Sequence, residues 1–170
     1  MHFRKLEPAQ LPLSPVQLFG TDWMLLTAGS AEKHNTMTVS WGGLGVLWSL
    51  PVATVYVRPE RLTYSFMEAS DTFTLCAFEA DRREKLLLCG TKSGREVDKD
   101  ALCGLTPVGS ESGAAYYEEA RLVLVCKKLY THDFDRERFL DERIGGVYPE
   151  GAQLHRMYVG EIVEVLIKED

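Results

Sequence analysis

Six runs along this chain have strand chemistry, and too few helices separate them to build alternating β-α-β units. "TDWMLLT" from Thr21 to Thr27, the segment from Asn35 to Trp41, "VATVYVR" from Val52 to Arg58 and the run from Thr72 to Phe78 alternate, or are rich in β-branched and aromatic residues. Two longer runs follow, "ARLVLVCKKLYTHDF" and the closing "HRMYVGEIVEVLIKE". Helical periods are shorter. Pro59 suits a first turn before Leu62, Phe66 and Ala69, which share one face. Asp81 and Glu84 have capping-box spacing ahead of "RREKLLLC". "DKDALCG" suits a turn or two of helix after a loop at Gly90 to Arg95, and Asp135 suits a cap for "RERFLDER". "AGSAEKH" makes a hairpin of the first two strands, and "GSESGA" reads as a flexible surface stretch. A doubly wound parallel sheet requires regular alternation. The expectation is therefore a mainly β, antiparallel barrel with short decorating helices.

A chain of 170 residues supports one domain, residues 1–170, with a sizeable core. No apolar run is long enough to span a bilayer, and "MHFRKLEPAQ" lacks the apolar core of a secretory signal, so a cytoplasmic location without membrane contact is expected. The net charge of -6 opposes a general grip on nucleic acid, which demands surplus Lys and Arg. An anionic ligand must then meet a local cationic cluster. Cys76, Cys89, Cys103 and Cys126 form no CxxC pair, and His2, His34, His132 and His155 have no helical metal spacing, so no metal site is expected and the thiols are read as reduced.

Three stretches concentrate polar chemistry. In "HNTMTVSWGG", a strand places Thr36, Thr38 and Ser40 on one face and Asn35, Met37, Val39 and Trp41 on the other. The hydroxyl row is either a solvated face with threonine chosen for strand propensity or a ligand-facing row; the two glycines after it would let a flat ligand approach. Trp41 is either a stacking platform or a core residue. In "CGTKSGREVDK", the spacing fails the GxxxxGK[ST] pattern. A simpler anion loop is open, with Cys89, Gly90 and Gly94 backbone, Thr91 and Ser93 hydroxyls, and Lys92 and Arg95 charge, against the alternative of an exposed loop. In "VRPERLT", Arg58 ends a strand and Arg61 begins a helix, where the dipole also welcomes an anion; pairing with Glu60 and Glu68 is the alternative. "GGLG" has the wrong spacing for a dinucleotide fingerprint, and no GxSxG is present.

Taken in order, "NTMTVSWGG", "VYVRPERLTYSF", "CGTKSGREVDK" and "HRMYVGEIVEV" resemble the flavin reductase-like family of FMN-binding split barrels, most closely its flavoredoxin branch, over about Val16 to Val165. The likeness departs at Leu88, where an aromatic is expected, and at Glu96, where Asp is more usual. The resemblance implies a six-stranded antiparallel split barrel and a homodimer with FMN near the subunit interface. It implies that Asn35 to Trp41 runs along the isoalloxazine. Arg58, Arg61 and Lys92, with Thr63, Thr91 and Ser93, become candidates for the phosphate and ribityl chain. No catalytic acid or base is implied, since the cofactor carries the redox chemistry. NAD(P)H would be a transient donor, with His155 and Arg156 as its neighbours. Three functions stay open: an oxidoreductase fed by NAD(P)H or a redox protein, an FMN-binding electron carrier or storage module without nicotinamide turnover, and a barrel-shaped interaction protein that has lost its cofactor, for which Arg61 and Lys92 would be surface charge.

Overall fold

The two longest apolar runs form the two longest strands, and their pairing organises the rest. The computed structural model describes residues 2–169. Its strands are β1 Phe3–Lys5, β2 Met24–Gly29, β3 His34–Val39, β4 Gly42–Leu47, β5 Leu50–Val57, β6 Thr72–Ala77, β7 Pro107–Gly109, β8 Ala115–Tyr117, β9 Leu122–Asp133 and β10 Arg156–Lys168. Its helices are α1 Pro15–Gln17, α2 Leu62–Ala69, α3 Arg83–Thr91 and α4 Lys99–Cys103. β9 and β10 pair antiparallel from Arg156 opposite Asp133 to Ile167 opposite Leu122, with register shifts at Val159/Gly160 and Ile162/Glu164. Such shifts bend and twist the pair, which curls the sheet around its contents. Gly160 sits in the bend because a Cβ there would stand 2.7 Å from the Phe73 ring.

The main sheet runs in the order β3-β2-β6-β9-β10-β5-β4, with β1 added to β10, and every pairing in it is antiparallel. Its concave side encloses Met24, Leu26, Val55, Phe73, Leu75, Leu124 and Tyr158. A second apolar layer, including Leu25, Cys76, Leu86, Cys89, Cys103 and Tyr117, lies where α3, α4 and the β7–β8 hairpin cover the other side. Period-2 alternation is thus masked in β2, β6 and the first half of β9, which are buried on both faces.

The mainly β antiparallel architecture is as expected, and the differences lie in particular elements. Eight strands form the sheet where six were expected, because β1 and β4 were not legible. β4 is poor in strand formers, and the space a Cβ on Gly42 would need is filled by the Phe19 ring, so that glycine serves packing. A two-residue turn, Trp48–Ser49, joins β4 to β5 with both residues left-handed, at φ 52° and 60°. Thr21 and Asp22 belong to a π-helical turn, Leu18–Asp22, and the strand starts only at Met24. The Asp81–Glu84 capping box does not form: a 3-10 turn, Ala80–Arg82, leads into α3, whose N-cap is Arg82 without a side-chain bond. Gly90 and Thr91 are helical. "GSESGA" is the turn of the β7–β8 hairpin. Among the described residues no helix is long and apolar enough to cross a membrane, and no cluster of three metal-ligating side chains occurs.

Candidate functional site

β3 and β4 end the sheet path, so each keeps one long edge unpaired among the described residues. Thr36 lies opposite Thr27 in β2, and its hydroxyl is held there, 2.9 Å from Thr27 Oγ1 and donating to the Leu26 carbonyl at 3.2 Å. The Thr36 carbonyl accepts from Lys99 Nζ at 2.7 Å and from Asn35 Nδ2 at 3.3 Å, so it points away from β2. In an antiparallel strand the N–H of the same residue and the backbone of residue i+2 point the same way. The backbone of Thr36 and Thr38 therefore faces the open edge. The Thr38 hydroxyl donates to the Leu86 carbonyl of α3. Met37 and Val39 are buried in the core, whereas Ser40 and Trp41 emerge into solvent.

The other two polar stretches converge on this edge. Asn35 Nδ2 donates to Thr63 Oγ1, buried at the start of α2, at 2.7 Å. Arg61, the N-cap residue of α2, donates through Nη2 to the Gly90 carbonyl at 2.6 Å, and Lys99 Nζ donates to the Cys89 carbonyl at 2.8 Å. Both cations thus sit at the negative end of the α3 dipole, capping carbonyls that the helix leaves unpaired. Burial holds the Arg61 guanidinium below its ordinary value and brings Lys99 down to about 8. After Thr91, whose hydroxyl donates to the Leu87 carbonyl at 2.9 Å, the chain turns through Lys92 and Ser93. Ser93 Oγ accepts from the Arg95 N–H at 3.2 Å, and Arg95 reaches the Glu60 carbonyl at 3.1 Å. Gly94 is the point of closest approach: a Cβ there would collide with Asn35 Oδ1. Thr91, Lys92 and Arg95 remain exposed, and a small cleft of about 120 Å³ is lined by Asn35, Thr36, Gly94 and Lys99.

At the far end of β3, Trp41 lies beside a different set of groups. Its ring centroid is 4.8 Å from that of His155 and 6.4 Å from that of Tyr148. Tyr148 Oη and His155 Nδ1 are 2.6 Å apart, and the Arg58 guanidinium lies 5.8 Å from the Tyr148 ring centre, with Glu60 at 3.7 Å. Burial first, then the Arg58 charge, lowers His155 to about 4. The imidazole is therefore neutral and joined to the Tyr148 hydroxyl by one hydrogen bond at Nδ1. Against Trp41 opens a hollow of about 530 Å³ walled by Phe134, Phe139, Ile144, Val147 and Tyr148.

The structure thus gathers Asn35, Thr36, Thr38, Arg61, Thr63, Cys89, Thr91, Lys92 and Ser93 at one corner and sets Trp41 and Arg58 toward another. The Cys89 thiol points inward, 3.2 Å from Cys103 Sγ, leaving its backbone to the corner. Lys99 and Tyr148 were not singled out from sequence. A signal for Lys99 exists: Asp98 caps α4, so Lys99 is a cation in a first helical turn, where the dipole disfavours it and an outside partner is needed. Tyr148 lies in a stretch with no periodic pattern.

A family model described as "Flavin reductase like domain" matches residues 16–170. No curated protein matches the chain. Among solved structures, a flavoredoxin from Methanosarcina acetivorans is 23% identical with a TM-score of 0.69, covering 87% of this chain and 69% of its own. An FMN-binding protein from Thermus thermophilus with bound p-hydroxybenzaldehyde is 22% identical, TM-score 0.69, covering 98% and 82%. The NADH:FAD oxidoreductase SgcE6 of Streptomyces globisporus C-1027 is 20% identical, TM-score 0.63, covering 87% and 76%. These identities establish a shared fold, and the family match spans nearly the whole chain. The chain belongs to the flavin reductase-like domain family.

Proposed function

We propose that the chain binds FMN along the open edge of β3 and acts as an oxidoreductase, taking electrons from NAD(P)H or a redox partner protein and passing them to free flavin, a metal ion or a protein acceptor. The observation that carries this reading is the meeting of an unpaired strand edge with a cationic corner in a chain of net charge -6. Backbone groups of Thr36, Thr38 and Ser40, with Asn35, suit the polar edge of a flavin ring. Lys92, Thr91 and Ser93, with Arg61, Thr63 and the more distant Arg58, suit a ribityl phosphate, where charge-assisted bonds are strongest. Family membership supports a flavin, and relatives named as an FMN-binding protein and an NADH:FAD oxidoreductase support FMN and nicotinamide in turn.

Bound flavin would supply hydride acceptance and stepwise electron transfer. The chain supplies position and field. Donors fixed on a strand edge cost no reorganisation when negative charge develops on the ring, which favours its reduced form. Trp41 and neutral His155 form an aromatic ledge beside the hollow, and a neutral imidazole does not repel the cationic ring of an oxidised nicotinamide. The exposed hairpin tip, Val46, Leu47 and Trp48 with Leu129 and Tyr130, is assigned to a homodimer contact.

Fluorescence quenching with FMN and with riboflavin tests binding, and steady-state NAD(P)H oxidation tests turnover. FMN should bind more tightly than riboflavin, and oxidation should exceed the rate with free flavin. Folded protein that quenches neither flavin overturns the reading. Tight binding without turnover makes the chain an electron carrier.

A further inference from the structure

His34 ties the β2–β3 turn to α4 through two oxygen acceptors. Its Nδ1 lies 3.0 Å from the Ser30 carbonyl oxygen, and its Nε2 lies 2.9 Å from Asp100 Oδ2. A carbonyl donates nothing, and neither does an ionised carboxylate, so only an imidazolium with both nitrogens protonated satisfies both contacts. A neutral ring turns one lone pair toward an oxygen. Water is poorly placed to relieve this, since the His34 side chain is 9% exposed and that of Asp100 24%.

Asp100 is held from a second side, its Oδ1 accepting from Tyr117 Oη at 3.0 Å. Burial, then the Asp100 charge, pushes the Tyr117 phenol far up, so it remains a donor. The carboxylate therefore fastens α4 to both β3 and β8. The residue beside it, Lys99, makes the two bonds that brace the open edge. Other titratable groups nearby are Asp98 and Lys99 on α4, Glu32 and Lys33 in the hairpin turn, and Cys89 on α3. Glu32 is turned to Ser30 Oγ at 2.8 Å, and burial keeps the Cys89 thiol neutral by pushing it up to about 12.

We propose that protonated His34 is the latch that seats α4 on β3, and that its loss of a proton loosens α4 and, through Lys99, weakens flavin binding at the open edge. His34 is a positioning residue, acting through Asp100 and Lys99. The second half of the proposal rests on the FMN reading; the first half does not.

Burial pulls His34 down, but the hydrogen bond and charge of Asp100, with the Ser30 carbonyl, outweigh it and hold the imidazole above its ordinary value. A raised folded value means that the latch is fully set below the unfolded value and is released as pH rises through the folded one. Lys99 titrates near 8 in the same direction, and the FMN phosphate gains charge near pH ~6 in the opposite one. Both effects are shared by a variant that lacks only the imidazole.

His34→Gln keeps a donor but cannot titrate. FMN dissociation constants for wild type and His34→Gln are measured from about pH 5.5 to about pH 8, bracketing the histidine range. In parallel, amide exchange of Lys99–Cys103 in the flavin-free protein is followed against the His34 imidazole NMR titration. The ratio of wild-type to variant dissociation constants should rise by about fivefold or more across this range, the lower end of ordinary coupling between two sites. Exchange at Lys99–Cys103, corrected for its intrinsic pH dependence, should accelerate with the His34 midpoint in wild type only. A flat ratio overturns the link to flavin, and exchange that ignores the His34 midpoint overturns the latch. Should neither protein quench FMN, the flavin reading fails while the exchange experiment still decides the latch. If the variant does not fold, the coincidence of the two midpoints in wild type decides it.

Discussion

Lys99 Nζ bridges the Thr36 and Cys89 carbonyl oxygens at 2.7 and 2.8 Å, joining the open strand to the end of α3 with a buried ammonium that has no carboxylate in ion-pair range among the described residues. Burial, with the nearby Arg61 charge, lowers its folded value to about 8 from 10.5.

Replacing Lys99 by Met should leave the Cys89 carbonyl short of a partner, destabilise the fold by about 1–3 kcal/mol, and weaken FMN binding. The sign of its pH dependence is fixed. Between about 8 and 10.5 the folded state binds fewer protons than the unfolded one, so this group's contribution to stability rises across that window and is lost as pH falls through about 8. Neutral lysine still donates. Urea melts should therefore show the gap between wild type and Lys99→Met widening as pH rises through the window; a constant gap contradicts the assignment.

Gly94 tests how closely the loop must approach the strand. An alanine Cβ would collide with Asn35 Oδ1 and stand 3.1 Å from Leu62 Cδ2, forcing Asn35 off Thr63. Gly94→Ala should cost about 1–3 kcal/mol, the range for overpacking a close contact. Ring binding should suffer with it, read as comparable losses for FMN and riboflavin. Unchanged melting and unchanged affinity would show that the loop has room to move.

The same corner shows what a single sequence can and cannot reveal. Strands β2, β3, β5, β6, β9 and β10 were legible because their β-branched and apolar runs are local signals. β4 was not, since Gly42, Gly43 and Gly45 suppress strand propensity and only pairing with β5 holds them extended. Asn35, Arg61 and Lys92 could be nominated because polar groups cluster in short stretches. The hydroxyl row could not be oriented: strand alternation places Thr36 and Thr38 on one face, but only the Thr27 and Leu86 partners show that their hydroxyls turn inward while their backbone faces out. His34 and Asp100 are 66 residues apart, and no spacing rule relates them.

Lys92 and Arg61 should separate ligand contact from support. Lys92 is exposed, and its ammonium makes no protein hydrogen bond among those described, whereas Arg61 caps the Gly90 carbonyl. Lys92→Ala should leave stability within about 0.5 kcal/mol. It should weaken FMN by about 1–3 kcal/mol with little effect on riboflavin. Arg61→Ala should lower the melting temperature as well. Equal losses of FMN and riboflavin in Lys92→Ala would remove that side chain from the phosphate.

The Trp48–Ser49 turn offers a way to test the proposed dimer contact without damaging the protomer. Both residues adopt left-handed backbone, which costs a bulky side chain more than it costs asparagine, yet a tryptophan is present and is 56% exposed. Among the aromatic rings described its neighbour is Tyr130, with ring centroids 6.2 Å apart. A bulky side chain left more than half exposed on such a backbone fits the proposed role of an apolar anchor between subunits. Trp48→Asn should keep or slightly raise protomer stability, because asparagine favours this conformation, and it should weaken self-association by about 2 kcal/mol or more, the scale of one interface anchor. Sedimentation velocity over a dilution series, alongside thermal melts, reads both quantities. A variant that melts like wild type and dissociates at higher concentration supports the hairpin as the contact; unchanged association removes the hairpin from any subunit interface, and a wild type that stays monomeric throughout removes the proposed dimer.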